Sequence, residues 1–112
     1  MDHVRRNIEA RRAQIGLSMT DIEDATGYAR QQLHRITTKP DATSVRSLGK
    51  VAMVLFCPVR ALLSDDPADS VRYPLPPQNF LEILRANRER FGFDKGGKLI
   101  DWNEFETTIN NS

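Results

Sequence analysis

Between Ser18 and Ile36 the chain reads SMTDIEDATGYARQQLHRI, two short helical patterns separated by one glycine. Ser18 can cap the first pattern with its hydroxyl, and Asp21, three residues on, sits where a carboxylate favours the positive end of a helix. Ile22 and Ala25 recur at the spacing of one buried face. Gly27 falls where this helix must stop, and glycine there tolerates the left-handed backbone that turns the chain sharply. The second pattern runs from about Ala29 to Thr38. At about 100° per residue, Leu33 and Ile36 define its buried side. Gln31, Arg35 and Thr38 then lie opposite, with His34 on the flank, Gln32 nearby and Arg30 at the N-terminal tip.

Three more helices are expected around this pair. The first covers His3 to about Gln14, with Val4, Ile8 and Ile15 in helical spacing and Gly16 ending it. Arg5, Arg6, Arg11 and Arg12 are read as projecting away from that apolar side, either as a solvated face or toward phosphates. Lys39-Pro40-Asp41 reads as a loop, because proline blocks continuation of a helix. Thr43 or Ser44 caps the fourth helix, whose apolar face is Val45, Leu48, Val51, Ala52, Leu55 and Phe56. Pro58 opens a short fifth helix that returns Val59, Leu62 and Leu63 to the core. The lone cysteine, Cys57, follows the apolar run VAMVLF and reads as a small core residue.

Residues 1–66 therefore form one expected domain. Residues 67–77 are proline-rich and read as an extended linker. Residues 78–112 form a C-terminal extension: a helix from Gln78 to Phe91, a tight hairpin around Gly96-Gly97, and a last helix opened by Asp101 at capping-box spacing. Arg85, Arg88 and Arg90 alternate with Glu82 and Glu89 as a solvated, salt-bridged face. About forty residues are few for an independent core. Docking on the helical domain, or exchange between two chains, would bury Phe80, Ile83, Leu84, Phe91, Leu99, Ile100, Trp102 and Phe105. Dimerisation through these residues is the leading expectation. Capture of a partner protein by the extension, or a DNA-contacting wing, are the other readings.

Charge separates the two parts. Residues 1–64 hold ten Lys/Arg against six Asp/Glu, and residues 65–112 hold six against nine. The N-terminal part favours phosphates, and the acidic balance of the rest disfavours them. No apolar run approaches the roughly 18 residues of a membrane span, and the N-terminus lacks the apolar centre of a signal peptide, so a cytoplasmic location is expected. His3, His34 and Cys57 are too scattered for a metal site. No phosphate loop and no nucleophile beside a base can be read. Neither an enzyme nor a cofactor is expected.

With these residues in view, residues from about Val4 to Ser64 resemble the phage-repressor (lambda-repressor-like, XRE) helix-turn-helix DNA-binding family. The matching positions are Ile15-Gly16-Leu17-Ser18, Ile22, Ala25-Thr26-Gly27, Arg30, Leu33, Arg35-Ile36, Val45, Leu48, Lys50-Val51-Ala52, Leu55 and Val59 to Leu63. Three positions depart from the family pattern. Glu23 stands where relatives carry a small residue, so its carboxylate must reach solvent or an arginine. Ala29 stands where a serine often caps the third helix, and Met19 where a polar residue often approaches a phosphate.

The resemblance implies a mainly α fold, a five-helix domain followed by a short extension of helix, small hairpin and helix. It also implies a sequence-specific transcriptional regulator, a phage- or prophage-type repressor that binds a palindromic operator in double-stranded DNA as a homodimer. Arg30, Gln31, Gln32, His34 and Arg35 are the expected base contacts, since arginine suits guanine and glutamine suits adenine. Thr20, Thr38, Lys39, Thr43, Ser44 and Arg46 are the expected phosphate contacts, through hydroxyls, cations and helix-end N–H groups. An autoregulating antitoxin, whose C-terminal region binds a partner protein, is the alternative function.

Overall fold

Local capping sets several of the helix ends. The computed structural model describes residues 2–38, 45–86 and 101–111. Over these it is mainly helical: α1 (Asp2–Ile15), α2 (Met19–Thr26), α3 (Arg30–Thr38), α4 (Val45–Val54), α5 (Val59–Leu63), a 3-10 turn (Asp69–Val71), α6 (Phe80–Ala86) and α7 (Trp102–Asn110). No strand occurs among the described residues. The hairpin expected near Gly96-Gly97, with Phe91, Leu99 and Ile100, lies outside them. None of the described helices is long and apolar enough to cross a membrane.

α1 stops at Gly16, whose φ of 79° is left-handed. The Gly16 and Leu17 N–H groups both return to the Arg12 carbonyl, at 3.0 and 3.1 Å. α2 starts with a complete capping box. The Asp21 N–H donates to Ser18 Oγ at 3.0 Å, and the Ser18 N–H donates to Asp21 Oδ2 at 2.9 Å. Pro58 stands one position before α5, at its N-cap, rather than in its first turn. Asp101 caps α7 by accepting the Asn103 N–H at 3.0 Å.

α4 ends in an unusual way. The Cys57 N–H bonds the Ala52 carbonyl and the Phe56 N–H bonds the Met53 carbonyl, both at 3.0 Å. This pair of bonds defines a closure that usually places glycine at the left-handed position. Here that residue is Phe56, with φ 55°. The conformation costs a side-chain-bearing residue roughly 1–2 kcal/mol. Burial of the ring outweighs it, at about 1.5–3 kcal/mol plus roughly 0.5–1.5 kcal/mol for each good aromatic pair. The Phe56 ring lies 5.2 Å from Phe80, 5.2 Å from Trp102 and 6.3 Å from Phe105. Phe56 therefore joins the helical domain to the extension.

That junction gives some of the extension's described apolar residues a place in the core of one chain. Phe80, Leu84, Phe105 and Ile109 belong to the same buried core as Val4, Ile22, Leu33, Leu48 and Leu62. Phe80, Leu84 and Phe105, expected at a dimer interface, are buried within one chain, and the ring of Phe56 gives Phe80 and Phe105 an internal partner. Ile83 and Trp102 keep part of their surface accessible.

α1 carries a second correction. The sequence sets Arg11 beside Arg5, Arg6 and Arg12, away from the core, yet Arg11 is 0% exposed. Its guanidinium donates to the carbonyls of Leu55 (2.8 Å), Phe56 (3.0 Å), Tyr73 (3.0 Å) and Pro74 (2.8 Å), and to Gln14 Oε1 at 2.8 Å. The cation thus closes the carbonyl end of α4, where it also suits the helix dipole. Burial lowers the Arg11 pKa, against a smaller opposing contribution from Cys57.

Asn7, one turn earlier, does the same for α5. Its amide donates to the carbonyls of Leu62 at 2.9 Å and Ser64 at 2.7 Å. Gln14 continues the stripe, donating to the Val71 carbonyl at 2.8 Å. Residues 71–74, inside the segment read as a linker, are therefore held against α1 by Arg11 and Gln14. Arg5 and Arg6 are exposed as expected, and Arg12 pairs with Glu9 at 2.8 Å.

Candidate nucleic-acid interface

α2, α3 and the turn between them form the candidate site. The turn is made by Gly27, left-handed at φ 75°, whose N–H caps the Glu23 carbonyl at 2.8 Å. Thr26 is buried, donates to the Ile22 carbonyl at 2.7 Å and accepts the Tyr28 N–H at 3.2 Å. Ala29 supplies only its carbonyl to the first bond of α3, from Leu33 N–H at 2.9 Å. The order of the turn thus rests on Gly27 and Thr26, without a side-chain cap on α3.

Leu33 and Ile36 are buried, at 2% and 4% exposure, and fix the roll of α3. The consequence is that Arg30, Gln31, Gln32, His34 and Arg35 are all exposed. These are the five residues expected to reach bases, and they share the solvent side of one helix whose sequence, RQQLHRITT, holds no carboxylate. Guanidinium and amide groups in such a row can meet base edges, each bidentate pair contributing roughly 1–3 kcal/mol of discrimination.

The phosphate candidates divide. Thr20 is exposed in the first turn of α2. Thr38 ends α3 and Arg46 lies in the first turn of α4, but their side chains, like all of Lys39, Thr43 and Ser44, lie outside the described residues. Met19 is half-buried and packs against the core.

Several contacts were not legible in the sequence. Glu23 accepts from Arg30, Nε to Oε1 at 2.9 Å, which realises one of the two outcomes open to that carboxylate. Arg85 of α6 reaches Asp21 at 3.8 Å, so the extension touches the start of α2. The sequence pattern places Arg85 only on a solvated face. The Lys50 ammonium lies 5.5 Å from the centre of the Tyr28 ring. Lys50 is buried, and burial lowers its pKa. It meets the turn at Tyr28, where a cation over an aromatic face is favourable.

Two clefts lie elsewhere. One, of about 210 Å³, is lined by Gly16, Leu17, Leu75, Pro77, Phe80 and Leu81 among others. The other, of about 230 Å³, is lined by Met53, Cys57, Val59 and Trp102 among others. Both fall below the roughly 300–1,000 Å³ usual for ligand pockets. Neither includes a residue of α3. Comparison with protein-family models, with curated proteins and with solved structures gives no match for this chain.

Proposed function

We propose that this chain is a sequence-specific DNA-binding transcriptional regulator of phage- or prophage-repressor type, and that α1–α5 form a lambda-repressor-like helix-turn-helix domain. One observation carries the reading: Arg30, Gln31, Gln32, His34 and Arg35 are exposed together on α3 while Leu33 and Ile36 anchor its back. The side chains on that outer face are those able to bond guanine and adenine edges in a major groove. In this reading the protein is cytoplasmic and binds a palindromic operator as a homodimer. The dimer contact falls to surfaces that the core leaves accessible, Ile83 and Trp102 among them.

Fluorescence titration against duplex DNA tests the reading. Log affinity should fall with log salt by about 0.9 per neutralised phosphate. Gln31→Ala and Arg35→Ala should relax base choice and leave the fold intact. Equal affinity of the wild-type protein for every duplex would overturn the reading. Light scattering on the full chain, with and without operator, tests the dimer.

A further inference from the structure

We infer that Glu23 is the positioning residue for Arg30 and thereby sets the demand for guanine at one operator position; the inference rests on the DNA-binding reading above. Glu23 lies in α2, seven residues before Arg30 at the tip of α3. Its side chain is 24% exposed and that of Arg30 is 70% exposed, so the carboxylate is half-sheltered and the guanidinium reaches outward. The contact uses Arg30 Nε, at 2.9 Å.

A guanidinium offers two bidentate edges, one formed by Nε with a terminal nitrogen and one by the two terminal nitrogens. With Nε given to Glu23, the terminal edge, Nη1 and Nη2, is the one left to present. No other acceptor among the described residues meets it. That edge matches the O6 and N7 acceptors of guanine. A free arginine samples many rotamers, and the bond at Nε biases this one toward orientations that present its fork before DNA arrives.

The same carboxylate also acts on affinity. Placed behind the α3 tip, it repels phosphate and lowers binding to DNA in general. Specificity gains from both effects, through a fixed donor for the correct base and a penalty against indiscriminate contact. An exposed ion pair contributes little to stability, so the pair is better explained by what it presents than by what it holds together.

The test compares the full-length wild type with Glu23→Ala, Glu23→Gln and Arg30→Ala on duplexes selected by the wild type from a random pool. Glu23→Ala should flatten the guanine preference at one position on the order of tenfold and strengthen binding to random DNA. Glu23→Gln, which keeps a neutral acceptor for Nε, should retain part of that preference. Arg30→Ala should flatten the same position, and the double variant should go no further. Circular dichroism of all variants should match the wild type. In the free protein, the Arg30 Nε–H resonance should shift on Glu23→Ala. A guanine preference that survives Glu23→Ala, or an equal loss of affinity on every sequence, overturns the inference alone. A wild type that selects no sequence overturns the DNA-binding reading, and this inference with it.

Discussion

Replacing Arg11 by methionine should destabilise the fold far more than removing any of the exposed arginines. The side chain is completely buried, and all its bonds go to neutral acceptors: four main-chain carbonyls and Gln14. Methionine keeps much of the aliphatic volume and removes every donor. The carbonyls of Tyr73 and Pro74 belong to half-buried and exposed residues and can turn to water. Those of Leu55 and Phe56 belong to residues at 0% and 1% exposure and stay dry. Each dry, unpaired carbonyl costs about 1–3 kcal/mol. The expected loss is therefore about 2–6 kcal/mol, a large part of the roughly 5–15 kcal/mol that holds a small domain together. Arg11→Lys should fall in between, since one ammonium cannot span acceptors from α4 and from residues 73–74 at once. Urea unfolding followed by Trp102 fluorescence measures this, because the indole packs on Phe56, whose carbonyl Arg11 holds. An Arg11→Met variant within about 1 kcal/mol of wild type would refute the reasoning.

Other perturbations have smaller or more local outcomes. Ser18→Ala breaks the side-chain half of the α2 capping box and should cost about 1 kcal/mol in a denaturant titration. Gly27→Ala meets no atom within 4 Å of the new Cβ, so its cost should be backbone strain alone, about 1–2 kcal/mol, without repacking in the amide spectrum. The Cys57 thiol is pushed up to about 12, chiefly by burial and against the nearby Arg11 cation. The native state then holds its proton above the ordinary thiol range. Stability from this group is full below about pH 8.5 and is lost between there and pH 12, at up to about 1.4 kcal/mol per pH unit. Cys57→Ala should flatten that part of the pH–stability curve, and the native thiol should resist alkylation at neutral pH.

What could be read from the chain, and what could not, divides by range. Helix ends at Gly16, Ser18, Gly27 and Asp101 are legible because each capping bond spans only a few residues. The exposed row on α3 is legible because Leu33 and Ile36 fix the roll of a nine-residue helix. Arg11 is different. Val4, Asn7, Ile8 and Arg11 share one buried helical stripe, but polar identity sends the reading of Arg11 toward solvent, and nothing local marks the role of Asn7. Their partner carbonyls lie 44 to 63 residues away in sequence, and only the packed structure brings those helix ends to α1. The extension shows the same limit. Its apolar content is plain in the sequence, whereas its internal partner depends on the left-handed turn at Phe56. At the site, the resemblance leaves the Glu23 carboxylate either solvent or an arginine, and the geometry of the turn supplies Arg30.

Selection of the full chain against a pool of random duplexes tests the central claim most directly. The account predicts that a few rounds enrich a short inverted repeat, and that Gln31→Ala and Arg35→Ala degrade it at separate positions. A pool that stays random, or a motif untouched by either substitution, would contradict it.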